Sequence, residues 1–125
     1  MILDIHALSA VVDGDPAIEP RFQSAAFLAI PVIVLGEYQY GFSQSRRRAS
    51  YERWMDYNLA SYRVFAIDEG TAERYAEIRQ ELKLAATPIP ANDLWIAALA
   101  RQHRVAVLSR DRHFDAVKGL RRVAW

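Results

Sequence analysis

Five short and largely apolar runs, separated by longer helical patterns, constrain the fold of this chain more than any other feature. The runs are Met1–Leu3, Pro31–Leu35, Arg63–Ile67, Val105–Leu108 and Arg122–Trp125. Continuous runs of this kind, without alternation of apolar and polar residues, are typical of strands buried on both faces. Strands that alternate with helices predict an α/β fold, with a parallel sheet of about five strands and helices on both faces. Ligands of such sheets bind beyond the carboxyl ends of the strands.

The segments between the runs have the periodicity of helices. Residues Ala91–Gln102 are apolar nearly all round, which predicts a central, buried helix. Asn92 is expected to be its N-cap, because a side-chain amide at that position accepts from the first free backbone N–H groups. Asp68, which precedes another helical pattern, is interpreted as a cap in the same way.

Length and composition exclude several classes of protein. The chain has 125 residues and no cysteine, so we expect a single domain over residues 1–125 with no disulfide, thiolate metal site or cysteine nucleophile. The absence of cysteine fits a reducing cytoplasm, where we expect the protein to be located. No apolar stretch approaches the ~20 residues that span a bilayer, and the N-terminus lacks the pattern of a signal peptide.

Charge is distributed unevenly along the chain. Residues 1–45 carry five acids and one base, whereas residues 46–125 carry ten acids and fifteen bases. Most of the bases are arginine, whose planar group of donors suits phosphate. This distribution indicates either contact with phosphate or simply a solvated face, and composition alone leaves both interpretations open.

Four acids follow predicted strands or open a predicted helix. Asp4 ends the first run, Glu37 lies just past the second, Asp93 opens the buried helix, and Asp111 follows the fourth run. In a parallel sheet these positions converge on one edge. Close carboxylates repel one another, and either protonation or a cation relieves the repulsion. Carboxylates suit Mg²⁺ or Mn²⁺, which can activate water against a phosphodiester.

Each acid also has a simpler explanation. Asp93 could be a first-turn acid that favours the helix dipole, and Asp111 could be a turn residue. Glu37 and Asp4 are harder to explain in that way, because both adjoin buried strands. We interpret His103 and His113 as surface residues, whereas Asp115 is either a surface residue or one that approaches the site.

Four segments, in order, resemble the motifs of PIN-domain ribonucleases, most closely the VapC-type toxins of bacterial toxin–antitoxin pairs. The segments are Met1–Ser9, Ile33–Glu37, Pro88–Ala98 and Leu108–Phe114. The resemblance extends from Met1 to Trp125 and implies a Rossmann-like PIN domain. It also implies a metal-dependent endoribonuclease that hydrolyses RNA phosphodiester bonds with metal-activated water, forms homodimers and is blocked by a cognate VapB-like antitoxin.

The resemblance also implies roles for individual residues. The acids Asp4, Glu37, Asp93 and Asp111 would be catalytic and hold Mg²⁺ or Mn²⁺, with Ser109, His6 and Asn92 in support and with Arg46, Arg110 and Arg112 on the RNA backbone. Two positions differ from the family: His6 stands where an Asn is usual, and Ala86 stands where Gly is frequent. His6 either reproduces the hydrogen bonds of the Asn or brings a titratable group close to the metal.

Two other functions compete with this interpretation. A phosphoacceptor receiver domain has this size and alternation, but no lysine follows the fifth run and Glu37 has no role in it. A catalytically weak interaction module with the same fold remains the alternative. A nuclease loses activity on chelation and regains it with Mg²⁺ or Mn²⁺, whereas a binding module does neither.

Large apolar residues outside the predicted strands suggest a partner surface. They are Phe22–Leu28, Tyr38–Phe42, Tyr51 and Trp54. We interpret them as a groove for an amphipathic antitoxin segment and part of a homodimer surface, although packing into the core would explain them equally. An antitoxin Arg or Lys is expected to enter the acidic pocket.

Overall fold

The computed structural model describes all residues from 1 to 125 and contains a five-stranded sheet with helices. The strands are β1 (Ile2–Leu3), β2 (Ala29–Pro31), β3 (Arg63–Phe65), β4 (Val107–Leu108) and β5 (Arg122–Val123). The helices are α1 (Ile5–Val12), α2 (Glu19–Phe22), α3 (Val32–Ser43), α4 (Arg48–Asn58), α5 (Glu69–Leu84) and α6 (Ala91–His103), with 3₁₀ turns at Leu59–Ser61 and Arg112–Ala116. The predicted α/β class and number of strands are confirmed.

The strand order β3-β2-β1-β4-β5 determines where a ligand can bind. All neighbouring strands are parallel. From β1 the chain adds β2 and β3 on one side, and then returns to add β4 and β5 on the other. Right-handed connections therefore place the helices before and after the return on opposite faces. The carboxyl ends of β1 and β4 border the point where the order reverses, which is where parallel sheets open a crevice.

The core forms between these strands and helix α6. Residues of β1, β4 and much of β2 are fully buried, and so are Ala97–Leu99 of α6. The predicted central helix is therefore confirmed. Asp68 caps α5: it accepts from the Thr71 N–H at 3.0 Å, and the Thr71 hydroxyl accepts from the Asp68 N–H at 3.1 Å. None of the helices is long and apolar enough to span a membrane.

The prediction of a strand over Pro31–Leu35 was wrong for most of that run. The strand ends at Pro31, and helix α3 begins at Val32. A β-branched run normally favours a strand, but packing overrides this preference here. Val34, Tyr38 and Phe42 are four residues apart and all are buried, so one helical face covers the core.

The prediction that Asn92 caps helix α6 was also wrong. Pro90 occupies the N-cap position with extended backbone and accepts from the Leu94 N–H through its carbonyl at 3.0 Å. The helix begins at Ala91, so Asn92 is its second residue. The Asn92 side chain therefore does not cap the helix and can reach another element.

Ala86 has left-handed backbone, with φ of 54°. It ends helix α5 in a Schellman motif, in which the Thr87 N–H donates to Leu82 O at 3.0 Å and the Ala86 N–H donates to Lys83 O at 3.1 Å. A side chain with a Cβ is strained in this conformation, whereas glycine is not.

Replacing Ala86 with Gly should therefore stabilise the protein by about 0.5–1 kcal/mol, because relief of strain exceeds the extra entropy of the unfolded chain. Urea unfolding measures the change. Ala76→Gly, at an exposed position inside α5, is the matched control and should lose about 1 kcal/mol. Equal losses of stability in both variants would show that the backbone of Ala86 is not strained.

Candidate metal centre

Asp4 lies at the end of strand β1 and is 97% buried, with 3% of its surface exposed. It caps helix α1, and its Oδ1 accepts from the Ala7 N–H at 2.7 Å. The Ser109 hydroxyl donates to its Oδ2. Ser109, at the end of β4, also accepts from the Asp111 N–H at 2.9 Å. One serine thus connects the acids that follow the two central strands.

Asp93, Asp111 and His113 form a tighter cluster beside Asp4. The His113 Nδ1 atom lies 3.1 Å from Asp93 Oδ2 and 3.1 Å from Asp111 Oδ1. One ligand atom from each of the three residues lies within 4.8 Å of the others. His113 is exposed, as predicted for a surface residue, with half of its side chain accessible. The sequence did not indicate that its ring nitrogen lies beside two of the predicted acids.

A weak signal for His113 was present in the sequence. It follows Asp111 by two residues and precedes Phe114, which is fully buried. Because the buried Phe114 is so close to Asp111 in sequence, the turn between them stays against the edge of the sheet. The spacing alone does not give the direction of the imidazole, which the 3₁₀ turn Arg112–Ala116 decides.

The acids of the centre influence one another's pKa. Burial raises the pKa of Asp4 above its ordinary value, against hydrogen bonds from Ser109 and Ala7, and the charge of Asp111 raises it further. Burial also raises the pKa of Asp93, and the charges of Asp111 and Asp4 add to this rise against the interaction with His113. Desolvated carboxylates that repel one another, with an imidazole nitrogen beside them, form a donor set that suits a divalent cation.

Glu37 lies outside this tight cluster. It is half-buried on helix α3 and accepts a hydrogen bond from the side chain of Asn92. Asn92 directly precedes Asp93, so the second predicted acid connects to the centre through the start of helix α6. His6 also lies at the margin: its Nδ1 is 3.9 Å from Asp4 Oδ2, and its side chain is exposed.

The three arginines that were candidates for binding phosphate differ in their surroundings. Arg110 extends over the Trp125 ring, 4.4 Å from its centre, and donates to Trp125 O at 3.2 Å. Its guanidinium is also 3.7 Å from Asp15. Arg46 and Arg112 are exposed. Arg110 is therefore held in place at the edge of the centre.

The expected partner groove is largely filled by the protein itself. Tyr38 and Phe42 are buried and pack edge-to-face, with ring centres 5.4 Å apart. Tyr51 and Trp54 are half-buried against the core. Within this set Tyr40 is the exception, with 71% of its surface exposed. Most of these apolar groups therefore belong to the core, because helix α3 needs them to cover the sheet.

The raised pKa values predict how stability depends on pH. Native Asp4 and Asp93 hold protons that the unfolded chain releases, so they weaken the fold as pH rises from the ordinary value of 3.8 through their raised values. Asp93→Asn removes one such group. In a chelator, the stability of this variant relative to the native protein should therefore increase with pH across that range.

Urea unfolding of both proteins at several pH values measures this difference. Acids with lowered pKa, such as Asp68 and Asp115, produce the opposite trend equally in both proteins and cancel. A difference that stays constant with pH would show that the Asp93 pKa is not raised.

The chain matches one protein-family model and is similar to proteins that are named as ribonucleases. The family model described as PIN domain matches residues 1–120. The protein named Ribonuclease VapC4 of Mycobacterium tuberculosis is 36% identical over 90 residues, which cover 70% of this chain and 69% of that protein. Ribonuclease VapC2 of Rickettsia felis is 30% identical over 94 residues, which cover 74% and 70% of the two chains.

Solved structures share the fold over nearly the whole chain. The structure of VapBC from Salmonella typhimurium bound to DNA has a TM-score of 0.88 at 25% identity, and the match covers 99% of this chain and 96% of that one. The structure of VapBC2 from Rickettsia felis, bound to a fragment of promoter DNA, has a TM-score of 0.89 at 23% identity and covers 99% and 97% of the two chains.

Proposed function

This chain belongs to the PIN-domain family and is related to its VapC ribonucleases, and on that premise we propose that it is a metal-dependent endoribonuclease acting as the toxin of a toxin–antitoxin pair. The observation that carries the proposal is the cluster of Asp4, Asp93 and Asp111 at the carboxyl ends of β1 and β4 and the start of α6. These acids come from distant parts of the chain and meet where a parallel sheet opens its crevice.

The acids present would hold Mg²⁺ or Mn²⁺. Asp93 and Asp111 each have a carboxylate oxygen within 4.8 Å of the other and would bind the cation directly, whereas Asp4 and Glu37 would act directly or through water. A divalent cation in such a site lowers the pKa of a water molecule and stabilises negative charge on a phosphate group. The hydrolysis of an RNA phosphodiester requires both effects.

Residues around the acids keep them in position. The Ser109 hydroxyl donates to Asp4 and accepts from the Asp111 N–H, so it is a positioning residue rather than a nucleophile. Asn92 orients Glu37. With no cysteine in the chain and Ser109 engaged in this way, direct attack by water without a covalent intermediate is the reaction that the site supports.

The RNA backbone would contact Arg46, Arg110 and Arg112. Arg110 supports this most directly, because it borders a surface cavity of about 390 Å³ that Asp111, His6 and Trp125 also line. Phosphate contacts of this kind supply affinity without sequence choice, and they weaken as salt rises. The site therefore predicts that RNA binding depends on salt and that the choice of target depends on other contacts.

The proposed partner is a VapB-like antitoxin, and the toxin is proposed to be a homodimer. A cavity of about 300 Å³ between α1 and α3 is lined by Glu37, Tyr38 and Tyr51, among others, and is open to solvent. An antitoxin side chain with a positive charge could pair there with Glu37 or in the neighbouring acidic centre. Such binding would block the acids that the cation needs.

Cleavage of total cellular RNA tests the proposed function. We expect the purified protein to cut RNA with millimolar Mg²⁺ or Mn²⁺, to stop on addition of a chelator, and to resume when excess cation is restored. Mapping the new RNA ends identifies the target. A protein that binds partners but cuts no RNA under any of these conditions would instead be the catalytically weak interaction module.

A further inference from the structure

We propose that His113 is a nitrogen ligand of the divalent cation at this centre and that it makes the site prefer Mn²⁺ to Mg²⁺. The inference rests on the metal dependence in the proposed function, although it does not depend on RNA cleavage. The acids form the proposed metal centre, and the imidazole adds a nitrogen donor beside two of them.

The distances around His113 match those between ligands of one ion. Its Nδ1 lies 3.1 Å from Asp93 Oδ2 and 3.1 Å from Asp111 Oδ1. An octahedral ion with bonds of about 2.1 Å separates neighbouring ligand atoms by about 3 Å. The nitrogen and the two oxygens are therefore spaced so that one ion could bind all three with little rearrangement.

The backbone that carries the imidazole is held in place by its own turn. The backbone N–H of His113 donates to Asp111 Oδ1 at 2.8 Å. The backbone N–H of Asp111 in turn donates to the Ser109 hydroxyl at 2.9 Å. The next residue, Phe114, is fully buried. A ligand side chain on a fixed backbone loses less conformational freedom when an ion binds than one on a mobile segment, and this favours binding.

A nitrogen donor changes which ion the centre prefers. Mg²⁺ binds carboxylate and water oxygens and gains little from imidazole, whereas imidazole is a normal ligand of first-row transition ions. Two carboxylates with water would bind either ion, but two carboxylates with an imidazole would favour Mn²⁺.

The same distances also fit a different arrangement, in which a charged imidazole neutralises Asp93 and Asp111. In that arrangement the ion would compete with His113, and removing the histidine would strengthen metal binding. The two arrangements therefore predict opposite effects of one substitution.

Pulsed electron paramagnetic resonance of the full-length protein with one equivalent of Mn²⁺, without RNA, tests the inference. We expect ¹⁴N modulation from a bound imidazole in the native protein, and we expect it to disappear in His113→Gln. His6→Gln is the matched control, because His6 is the other histidine near the acids, 3.9 Å from Asp4. The modulation should persist in that variant.

Calorimetric titration supplies the second measurement. His113→Gln should weaken Mn²⁺ binding at least tenfold and change Mg²⁺ binding by less than threefold. Native protein that binds Mn²⁺ without nitrogen modulation, or a variant that binds Mn²⁺ equally or more tightly, would overturn the inference. If Asp93→Asn still abolishes Mn²⁺ binding in that case, the metal centre of the proposed function stands without His113. If the native protein binds Mg²⁺ but no Mn²⁺, the inference about His113 fails alone; if it binds neither ion, both proposals fail.

Discussion

Asp93→Asn is expected to lower the rate of RNA cleavage by on the order of a thousandfold or more. The amide has nearly the same shape as the carboxylate but lacks its negative charge, so it binds a divalent cation poorly. Burial raises the pKa of Asp93, and the charges of Asp111 and Asp4 add to this rise, so Asp93 is close to both of the other acids. Cleavage of a defined RNA in Mg²⁺, followed over time, measures the loss.

The matched control is Asp56→Asn, the same chemical change at an exposed position of helix α4, away from the acids. This variant should cleave RNA at the native rate. Circular dichroism and thermal unfolding must show that Asp93→Asn is folded. If Asp93→Asn then retained native activity, Asp93 would not belong to the catalytic centre.

Millimolar Mn²⁺ should raise the melting temperature of the native protein by about 10 °C. The ion binds only where the fold brings the acids together, and at a hundredfold excess over its dissociation constant it adds about 2.7 kcal/mol of stability. For a domain of this size each kcal/mol corresponds to about 3–5 °C. Differential scanning calorimetry with and without the ion gives the shift directly.

Asp93→Asn should lose most of this shift and, in a chelator, should melt above the native protein, because it lacks one of the repelling, desolvated charges. Asp4→Asn should likewise lose most of the shift. Asp56→Asn should retain the native shift. An equal rise with Mn²⁺ in all of these proteins would mean that the ion binds at another place, and the assignment of the acids to a metal centre would then be wrong.

The local pattern of this sequence was sufficient to predict the class of fold and to bring some residues of the candidate site to one edge of the sheet. The number of apolar runs between helical patterns predicts the number of buried strands. Because the carboxyl ends of parallel strands meet at one edge of the sheet, the same pattern predicts that Asp4 and Asp111 lie at that edge. Residues Ala91–Gln102 are apolar on nearly all sides of a helix, and this predicted the central, buried helix that carries Asp93. These inferences need only periodicity and order along the chain, which the sequence displays directly.

The tertiary structure alone decided the rest. The run after Pro31 has the composition of a strand, yet it becomes helix α3 because Val34, Tyr38 and Phe42 are needed on the face that covers the core. The same packing buries aromatic residues that resembled a partner groove, and the position of Pro90 frees Asn92 to bind Glu37. His113 faces Asp93 across 20 residues of sequence. Contacts between residues so far apart in sequence depend on how distant elements pack. Packing depends on the whole chain, so it cannot be inferred from a short segment of sequence.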